Sequence, residues 1–475
     1  MSSDQRLIHA TACTILEKLN GSEVTPLDLL DALEARIAQV DGKVNALPTL
    51  CFDRARSHAR DLMKKPVGER GLLAGMPVPI KDLTAVGGVR TTQGSPIFKD
   101  DVPARSNLLV EHLEAQGAVI YAKSNTPEFG AGANTFNEVF GATLNPWDLS
   151  RSAAGSSGGA AAALASGTAW LAHGSDLGGS LRNPASFCGV VGMRPSFGRV
   201  AYGRNAQVDR SISVHGPMAR NVEDLALLLD AMCGEHPADP ISLPVPPKSF
   251  RAAVRSGARP RRVAFSADLG ITPVDPEVAE ITRKAAARFA EAGAIVEEAH
   301  PDLREAHDCF HVLRAYDYVL TKAALLRGDK RDLLKPEVIW NIEAGLKLTM
   351  ADLERAQAQR SAMTHRTLEF FQTYDLLLTP ATIVAPFPVE QRYVAECAGQ
   401  KFSNYIEWLG IAYAITLVCC PALSLPCGST SLGLPVGLQM VAAPRGEAQL
   451  LAGAKVLEDI LGLHGATPID PRGMA

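Results

Sequence analysis

Short apolar segments alternate with helical segments along much of this chain, and this alternation limits its fold more than any other feature. Apolar strands are predicted at AGMPVPIKD (74–82) and AVIYA (118–122), an amphipathic helix at SNLLVEHLEAQG (106–117), and a helix of small residues at GGAAAALASG (158–167). Strands and helices in alternation form α/β sheets with helices on both faces. We therefore predict an α/β fold.

The chain is expected to form one elaborated domain with four regions. Its 475 residues are 47% hydrophobic, which is enough to fill one large core. Helices are predicted in residues 1–70 and the main strand-and-helix pattern in 71–233. Residues 234–262 are predicted to be a surface linker, because six prolines interrupt any apolar period there. The last region, 263–475, combines a helical stretch that we expect to cap the sheet with strands that return to it.

The charge balance and the termini argue against several classes of partner. Lys and Arg number 47 against 51 acidic residues, a formal charge of -4, so no basic surface is indicated that would attract nucleic acid or an anionic membrane. The N-terminus lacks the apolar core of a secretion signal. The apolar stretch GIAYAITLVCCPALSLPCG (410–428) is broken by Pro421 after about eleven residues, too few to cross a bilayer.

The nine cysteines are scattered and include no C-x-x-C pair, so neither a disulfide framework nor a zinc finger is indicated. A reducing compartment is the simpler expectation. We therefore expect a cytoplasmic protein that binds neither nucleic acid nor membrane.

Two glycine- and serine-rich segments, SAAGSSGGAAAALASG (152–167) and GSDLGGSLRNPASFCG (174–189), lie within the apolar pattern. Their apolar surroundings argue against a flexible linker, and neither contains the G-x-G-x-x-G or G-K-[ST] of a phosphate loop. Gly155, Ser157 and Gly159 satisfy G-x-S-x-G, but a polar segment precedes them where an α/β-hydrolase elbow needs an apolar strand.

The glycines of SDLGGS (175–180) favour another interpretation, in which backbone amides bind the ligand. Glycine adopts turn conformations closed to other residues, so the N–H groups of Leu177, Gly178, Gly179 and Ser180 can point at one spot. That spot suits an oxyanion, and Ser180 beside it is placed to attack a carbonyl carbon. Each such donor contributes about 3–4 kcal/mol to transition-state stabilisation.

A nucleophilic serine needs a base, and the sequence offers two kinds. His173 and His215 lie nearest along the chain, but neither has an evident carboxylate to orient it. Lys81 directly follows an apolar strand. Burial that lowers its pKa by about 3–4 units from its ordinary value near 10.4 would leave a neutral amine at pH 7. A neutral amine can accept a serine proton.

Three segments together, GMPVPIKD (75–82), GSSGGAAAALASG (155–167) and GSDLGGSLRNPASFCGVVGMRP (174–195), resemble the amidase signature family of serine hydrolases. The resemblance continues through SVHGPMARNVEDLALLLDAM (213–232) and PALSLPCGSTSLGLPVGLQMVAAPRGE (421–447). It implies a single domain with a large mixed central β-sheet, helices on both faces and a helical cap region.

The resemblance also implies a Ser-cisSer-Lys triad and acyl transfer without a metal or an organic cofactor. Ser180 would be the nucleophile, Ser156 the relay and Lys81 the final base. The relay serine of the family follows a cis peptide bond, which here would join Gly155 to Ser156. Ser157, the second of the adjacent serines, would support the relay.

Asp176 and Arg182 also match family positions, and we expect them to be buried structural ions, each with a charged or hydrogen-bonded partner. Two departures from the family pattern stand near these residues. Ala153 and Ala154 replace a frequent Pro-Gly, and Ser175 stands where Thr is usual. Neither removes a reacting group.

The loop FGAGA (129–133) matches a loop that lines the family's acyl site, so we expect Phe129, Gly130, Ala131 and Gly132 to bind substrate. The small residues of this loop leave room for a bulky apolar or aryl group. The expected substrate is a small-molecule aryl or alkyl amide, with esters and carbamates as side activities. Further walls are expected from residues 311–345 and 393–415, with these aromatic candidates: Phe310, Tyr318, Trp340, Tyr393, Tyr405 and Trp408.

Two alternative functions remain open. The glutamine-hydrolysing A-type component of the tRNA amidotransferase shares the signature and works in a complex. More remotely, His307 and His311, spaced i and i+4, would bind a metal with Asp308 as base, although no third ligand is evident. The sequence is also compatible with a homodimer.

Overall fold

The computed structural model describes residues 3–203, 212–327 and 329–473. The α-helices are α1 (Ser3–His9), α2 (Ala12–Asn20), α3 (Pro26–Val44), α4 (Phe52–Met63), α5 (Leu108–Ala115), α6 (Gly158–Ser166), α7 (Arg182–Cys188), α8 (Val222–Met232), α9 (Phe250–Arg255), α10 (Pro276–Ala287), α11 (Ala306–Lys322), α12 (Pro336–Gly345), α13 (Met350–Phe370), α14 (Gly410–Leu417) and α15 (Glu447–Leu461). The strands are β1 (Thr49–Leu50), β2 (Pro77–Lys81), β3 (Val119–Ser124), β4 (Phe136–Asn137), β5 (Gly141–Ala142), β6 (Leu144–Asn145), β7 (Asp148–Ser152), β8 (Leu171–Asp176), β9 (Val191–Arg194), β10 (Val214–Ala219), β11 (Arg262–Phe265), β12 (Ile295–Glu298), β13 (Leu376–Pro380), β14 (Glu396–Cys397), β15 (Gln400–Lys401), β16 (Ala422–Ser429) and β17 (Pro435–Val441).

The main sheet has eight strands in the order β12-β11-β13-β17-β16-β9-β10-β8. The pairs that β11 makes with β12 and β13 are parallel, and the other pairs are antiparallel. A second sheet has the order β1-β3-β2, with β2 and β3 parallel. The prediction of a large mixed sheet in an α/β fold is confirmed.

The two sheets meet where β2 lies beside β8. The backbone N–H of Lys81 on β2 donates to the ring of His173 on β8 across this junction. Helix α6 packs against both strands, and all of its residues are buried. A Cβ on Gly159 would lie only 2.3 Å from the backbone nitrogen of Asn125. Asn125 directly follows β3, so this close approach of the backbone explains the glycine at position 159.

Helices α11, α12 and α13 lie in the stretch that the sequence predicted as a helical cap, and α11 contacts α12, α13 and α14. The predicted linker, 234–262, includes α9, whose Phe250 and Val254 are buried beside α8 and α15. In the parts of the chain that the structure covers, no helix has both the length and the apolar character needed to span a bilayer.

Candidate active site

Lys81, Ser156 and Ser180 come from three separate places where a strand ends or a helix begins. Lys81 is the last residue of β2, Ser156 lies two residues before α6, and Ser180 lies in the turn between β8 and α7. Ser156 and Ser180 both line one cavity of about 290 Å³. The peptide bond between Gly155 and Ser156 is cis, as the family resemblance implied.

The side chain of Lys81 ends among three hydroxyl groups. Its Nζ lies 2.7 Å from Ser156 Oγ, 2.8 Å from Ser157 Oγ and 3.1 Å from Ser175 Oγ. The lysine is completely buried. In the sequence Ser175 stands out only as a departure from threonine, whereas its hydroxyl is one of the three contacts of the amine.

Burial lowers the pKa of Lys81 to about 7, against a smaller opposing effect of Asp176. An ammonium ion loses most of its hydration in such a place, and hydroxyl groups replace only part of it. A neutral amine has two hydrogens and one lone pair. Two of the three hydroxyls can therefore accept a hydrogen bond from Nζ while the third donates one to it.

Lys123 on β3 shows what the same neighbourhood does to a lysine that has a carboxylate partner. It is also completely buried, and its Nζ lies 3.2 Å from Asp82 Oδ1 and 2.8 Å from the carbonyl oxygen of Thr84. Burial lowers its pKa, while Asp82 raises it. Among the described residues Lys81 has no such ion pair, so it combines complete burial with uncharged hydrogen-bond partners.

The turn that carries Ser180 is organised by Asp176. Its carboxylate accepts hydrogen bonds from the N–H groups of Gly179, at 3.0 Å, and Leu181, at 3.1 Å. Arg182 Nη2 lies 2.9 Å from Asp176 Oδ1, and Arg194 Nη1 lies 3.3 Å from it. Burial alone would raise the pKa of Asp176, but the two guanidinium groups outweigh it and hold this pKa well below its ordinary range.

Arg182 is fixed from its other side as well. Its guanidinium donates to the carbonyl oxygen of Ala412 at 2.8 Å, to Gln439 Oε1 at 2.5 Å and to Thr416 Oγ1 at 3.2 Å. Asp176 and Arg182 are both buried and paired, and through them the Ser180 turn is joined to α14 and β17.

The amides considered for the oxyanion hole lie in this same turn and are not equivalent. Leu177, Gly178 and Ser180 line the cavity. The Gly179 N–H donates to Asp176, and each backbone residue has one such donor. Of the four amides, that of Gly179 is therefore already engaged, and those at 177, 178 and 180 remain the candidates.

The 129–133 loop forms part of the cavity wall. Phe129, Gly130, Gly132 and Ala133 line it, whereas Ala131 lies behind the wall and accepts a hydrogen bond from Lys335 through its carbonyl oxygen. Gly130 has φ +75°, and a Cβ there would lie 3.3 Å from Ser156 Oγ. This loop therefore lies directly against one of the three candidate catalytic residues.

The family model for Amidase matches residues 28–451. The chain belongs to the amidase family. It is 36% identical to the A-type component of the glutamyl-tRNA(Gln) amidotransferase of Moorella thermoacetica, over 97% of this chain and 99% of the relative. It is 34% identical to an acylamidase of Rhodococcus erythropolis, over 98% of this chain and 99% of the relative. The solved structure of a bacterial aryl acylamidase of the amidase signature family matches with a TM-score of 0.88 at 26% identity. The match covers 97% of this chain and 99% of that one.

As a member of the amidase family the chain is a hydrolytic enzyme, and the resemblance found in the sequence is confirmed. The family model spans the three segments on which that resemblance was based. The relatives include both an acylamidase and an amidotransferase component, so the family alone does not decide between these two functions.

Of the six aromatic candidates for the pocket walls of this amidase, Tyr318 lines the cavity. Phe310 stacks on Tyr413, and its ring lies close to Gly178, where a Cβ would be 3.1 Å from Phe310 Cζ. The remaining candidates do not line the cavity within the described residues: Trp340 is 41% exposed, and Tyr393, Tyr405 and Trp408 belong to or pack against a core cluster.

Helix α11 instead gives the wall a polar side. Arg314, Asp317, Thr321 and Lys322 line the cavity beside Tyr318. They recur every three or four residues on one face of the helix. They lie within 311–345, where further pocket walls were expected from the sequence but only aromatic candidates were named. Lys322 lies over the ring of Phe129, with Nζ 5.0 Å from its centroid.

His307, one of the two histidines considered for a metal site, has other partners. His307 contacts the Tyr413 hydroxyl through Nδ1 at 2.5 Å and the Ile271 carbonyl oxygen through Nε2 at 2.8 Å. Asp308 forms a salt bridge with Arg355 at 2.9 Å. In the described part of the chain no three His, Cys, Asp or Glu residues are grouped as a metal site. Because both ring nitrogens of His307 are used, the metal-hydrolase alternative is not supported.

Proposed function

We propose that this chain hydrolyses the C–N bond of small carboxylic amides through an acyl-enzyme formed on Ser180. The observation that carries the proposal is the position of Lys81. Its buried amine, with a pKa of about 7, lies 2.7 Å from the hydroxyl of Ser156, and Ser156 and Ser180 share one cavity. In this proposal the amine, neutral near pH 7, is the base, and Ser156 is the relay that passes it the proton of Ser180.

In the first step Ser180 Oγ attacks the amide carbon. Its proton moves to Ser156 Oγ as the Ser156 proton moves to Lys81 Nζ, which becomes an ammonium. The carbonyl oxygen takes the negative charge, and the N–H groups at 177, 178 and 180 stabilise it. Asp176 holds the turn that presents these groups.

In the second step the C–N bond breaks. The proton returns from Lys81 through Ser156 to the leaving nitrogen, so an amine or ammonia departs and an ester remains on Ser180. Water then adds to this ester and gives up its proton along the same route. The carboxylic acid leaves, and Ser180 regains its hydrogen.

The cavity supports an aryl or alkyl amide as the substrate. Its volume of about 290 Å³ is near the lower end for small-molecule sites, and Leu83, Phe129, Leu177 and Leu409 give it apolar walls. The small residues at 130, 132 and 133 leave space beside Ser156. Esters and carbamates are side activities of the proposal, because they form the same acyl-enzyme.

The second candidate function is that of the A-type component of an amidotransferase, which hydrolyses glutamine in a complex. The 36% identity to such a component over nearly the whole chain favours it. The two functions differ in what the isolated chain can do. An amidase turns over simple amides alone, without ATP or tRNA, whereas the amidotransferase component works beside its partners.

The experiment is a panel of matched amides, esters and carbamates, given to the purified chain alone and followed by a fluorophosphonate label with peptide mapping. We expect turnover of aryl or alkyl amides and a label on Ser180 that is lost in Ser180→Ala. A label on another residue would contradict the assigned nucleophile. Activity restricted to glutamine, and present only with added amidotransferase partners, would favour the second function.

A further inference from the structure

Two side chains that carry positive charge line the cavity without forming an ion pair. Arg314 and Lys322 both belong to α11. Within residues 3–203, 212–327 and 329–473 neither of them makes a salt bridge. The carboxylate on this wall, Asp317, has contacts of its own. With two cations against one carboxylate, the wall has a net positive charge.

The guanidinium of Arg314 is held by three uncharged partners, which leave one of its nitrogens unused. Nε donates to Asn341 Oδ1 at 3.2 Å, and Nη2 donates to the hydroxyls of Tyr318 at 3.2 Å and Tyr405 at 2.9 Å. In the described part of the chain Nη1, with its two hydrogens, makes no hydrogen bond. Nη1 is also not a fully buried atom, so it keeps surface that a ligand can contact.

This arrangement differs from that of the buried arginines beneath the Ser180 turn. Arg182 and Arg194 share the carboxylate of Asp176, at 2.9 and 3.3 Å. Arg314 is only 7% exposed, yet an amide oxygen and two phenol hydroxyls are its partners. Such neutral groups replace only part of the hydration of a permanent cation, and an anionic ligand would supply the rest.

Helix α11 also fixes where the two cations lie relative to the reaction. Phe310, whose ring lies beside Gly178 in the Ser180 turn, precedes Arg314 by about one helical turn. Lys322 lies about two turns further on, over the ring of Phe129. Arg314 is therefore the cation nearer the Ser180 turn. It is also the one that stays charged at every working pH, because burial lowers the pKa of Lys322.

We propose that Arg314 donates from Nη1 into the cavity and binds a carboxylate group of the substrate, with Lys322 as a second positive charge on the same wall. This inference rests on the proposed function, because it names the substrate class of that same site. The substrates are aryl or alkyl amides that carry a carboxylate apart from the amide bond. The apolar walls hold the body of such a molecule, and the charged wall selects its acid group over neutral and ammonium groups.

The test compares matched amides in wild type, Arg314→Gln and Arg314→Lys at pH 8, where Lys81 is mostly neutral. Each substrate pair differs only in carboxylate against acetyl, a neutral group of similar size, in one series on the acyl part and in another on the amine part. In at least one series wild type should prefer the carboxylate in kcat/KM by about 10- to 100-fold, the usual effect of hydrogen bonds to a charged group. Arg314→Gln should bring this ratio close to one, and Arg314→Lys, which keeps the charge, should restore part of it.

The matched control is Arg355→Gln, which removes a half-exposed arginine that pairs with Asp308 on the same helix. This variant should keep the wild-type ratio. A carboxylate preference that is absent from both series in wild type, or equal in wild type and Arg314→Gln, would overturn the proposal. Fluorophosphonate labelling of Ser180 checks the fold of each variant. If wild type itself fails to label at Ser180, the proposed function fails, and that result is separate from the substrate ratio.

A second measurement needs no change at Arg314. Ser180→Ala should bind the carboxylate and acetyl compounds without turning them over, and calorimetry gives both Kd values. We expect the carboxylate compound to bind at least about 10-fold more tightly in the preferred series. A crystal structure of this complex should place a carboxylate oxygen about 2.8 Å from Arg314 Nη1. Equal Kd values, or a carboxylate bound away from Arg314, would overturn the inference even where the amidase activity is established.

Discussion

Lys81 Nζ lies 2.7 Å from Ser156 Oγ, and no part of the lysine is exposed to solvent. Removal from water lowers its pKa to about 7, so the amine is neutral over the upper half of the physiological range and charged below it. The same residue therefore connects chemistry to stability: the burial that makes it a base also weakens the fold.

The first prediction concerns the pH dependence of the reaction. The free enzyme is active when Lys81 is neutral, so kcat/KM should rise with pH through about 7 and level off above it. The measurement is kcat/KM for one neutral amide from pH 5 to 9. A profile that is flat, or that rises only near pH 10, would show that Lys81 is not the base.

The second prediction concerns Lys81→Met, which should lower kcat by about 10²–10⁴-fold, the usual contribution of a general base. It should also make the protein more stable at pH 7, by roughly 1–3 kcal/mol. Lowering the pKa of a lysine from about 10.4 to 7 costs about 5 kcal/mol, and the lost contacts with three hydroxyls offset part of this.

The size of this stability difference changes with pH in a defined way. Between about pH 7 and 10 unfolding takes up a proton at Lys81, so wild type gains stability as pH rises, and the advantage of Lys81→Met shrinks by about 1.4 kcal/mol per pH unit. Urea unfolding of both proteins at pH 7, 8 and 9 measures this difference in the free energy of unfolding. Lys123→Met is the matched control: it leaves Asp82 buried without its ion pair and should destabilise the protein. A loss of stability in Lys81→Met that is independent of pH would contradict the assignment.

The third prediction ranks the serines. Ser180→Ala should abolish turnover because no nucleophile remains, and Ser156→Ala should leave a small residual activity because Lys81 remains near the cavity. Ser157→Ala, at a serine that contacts Lys81 at 2.8 Å, should reduce the rate less than Ser156→Ala. Single-turnover rates with an activated ester measure the order. A Ser157→Ala loss larger than that of Ser156→Ala would exchange the roles of the two serines.

The fourth prediction concerns the close contact between Gly130 and Ser156. Gly130→Ala places a Cβ 3.3 Å from Ser156 Oγ and 3.2 Å from Leu83 Cδ1, at a φ of +75°. Displacement of the relay should lower kcat/KM by about 10- to 100-fold.

Gly88→Ala is the control, since Gly88 has φ +73° but no atom within 4 Å of its Cβ position. It should cost about 1–2 kcal/mol of stability with little change in rate. Equal rates in the two variants would argue against contact with the relay.

The fifth prediction concerns the carboxylate beneath the Ser180 turn. Asp176→Asn leaves Arg182 and Arg194 buried beside a neutral amide, so the free energy of unfolding should fall by about 3–5 kcal/mol. Asp308→Asn removes a half-exposed ion pair with Arg355 and should change the free energy of unfolding by less than about 1 kcal/mol. Thermal and urea unfolding of both variants test this. A similar small effect in both would show that Asp176 does not stabilise the turn.

Much of the fold follows from local patterns in the sequence. Thr25 before Pro26 predicts the start of α3, and the structure shows a capping box between Thr25 and Asp28. The small-residue composition of 158–167 predicts a helix, and the close approach of Asn125 explains the glycine at position 159. Such signals are visible because each depends on residues near one another in the chain.

The parts of the site that escaped prediction depend on residues far apart in the chain. Family motifs point to Lys81, Ser156 and Ser180, but no local signal shows that Ser175 points to the same amine. Residues 311–345 were expected to supply part of the cavity wall, but the charged residues of α11 were not singled out, because charged residues at helical spacing are also typical of a solvated helix face. The aromatic candidates were mostly wrong for the related reason that aromatic residues at helical spacing are usually core.

The enclosure of Lys81 by three serines has a consequence for how a catalytic cycle must run. A hydrogen ion that reaches this nitrogen has come from a neighbouring hydroxyl, and with the amine sealed from solvent it has to go back the way it came. Under the proposed mechanism the ion removed during attack is thus the very one delivered to the departing nitrogen. Cleavage of the C–N bond then requires no proton exchange with bulk water, and water enters the reaction only when the ester on Ser180 is hydrolysed.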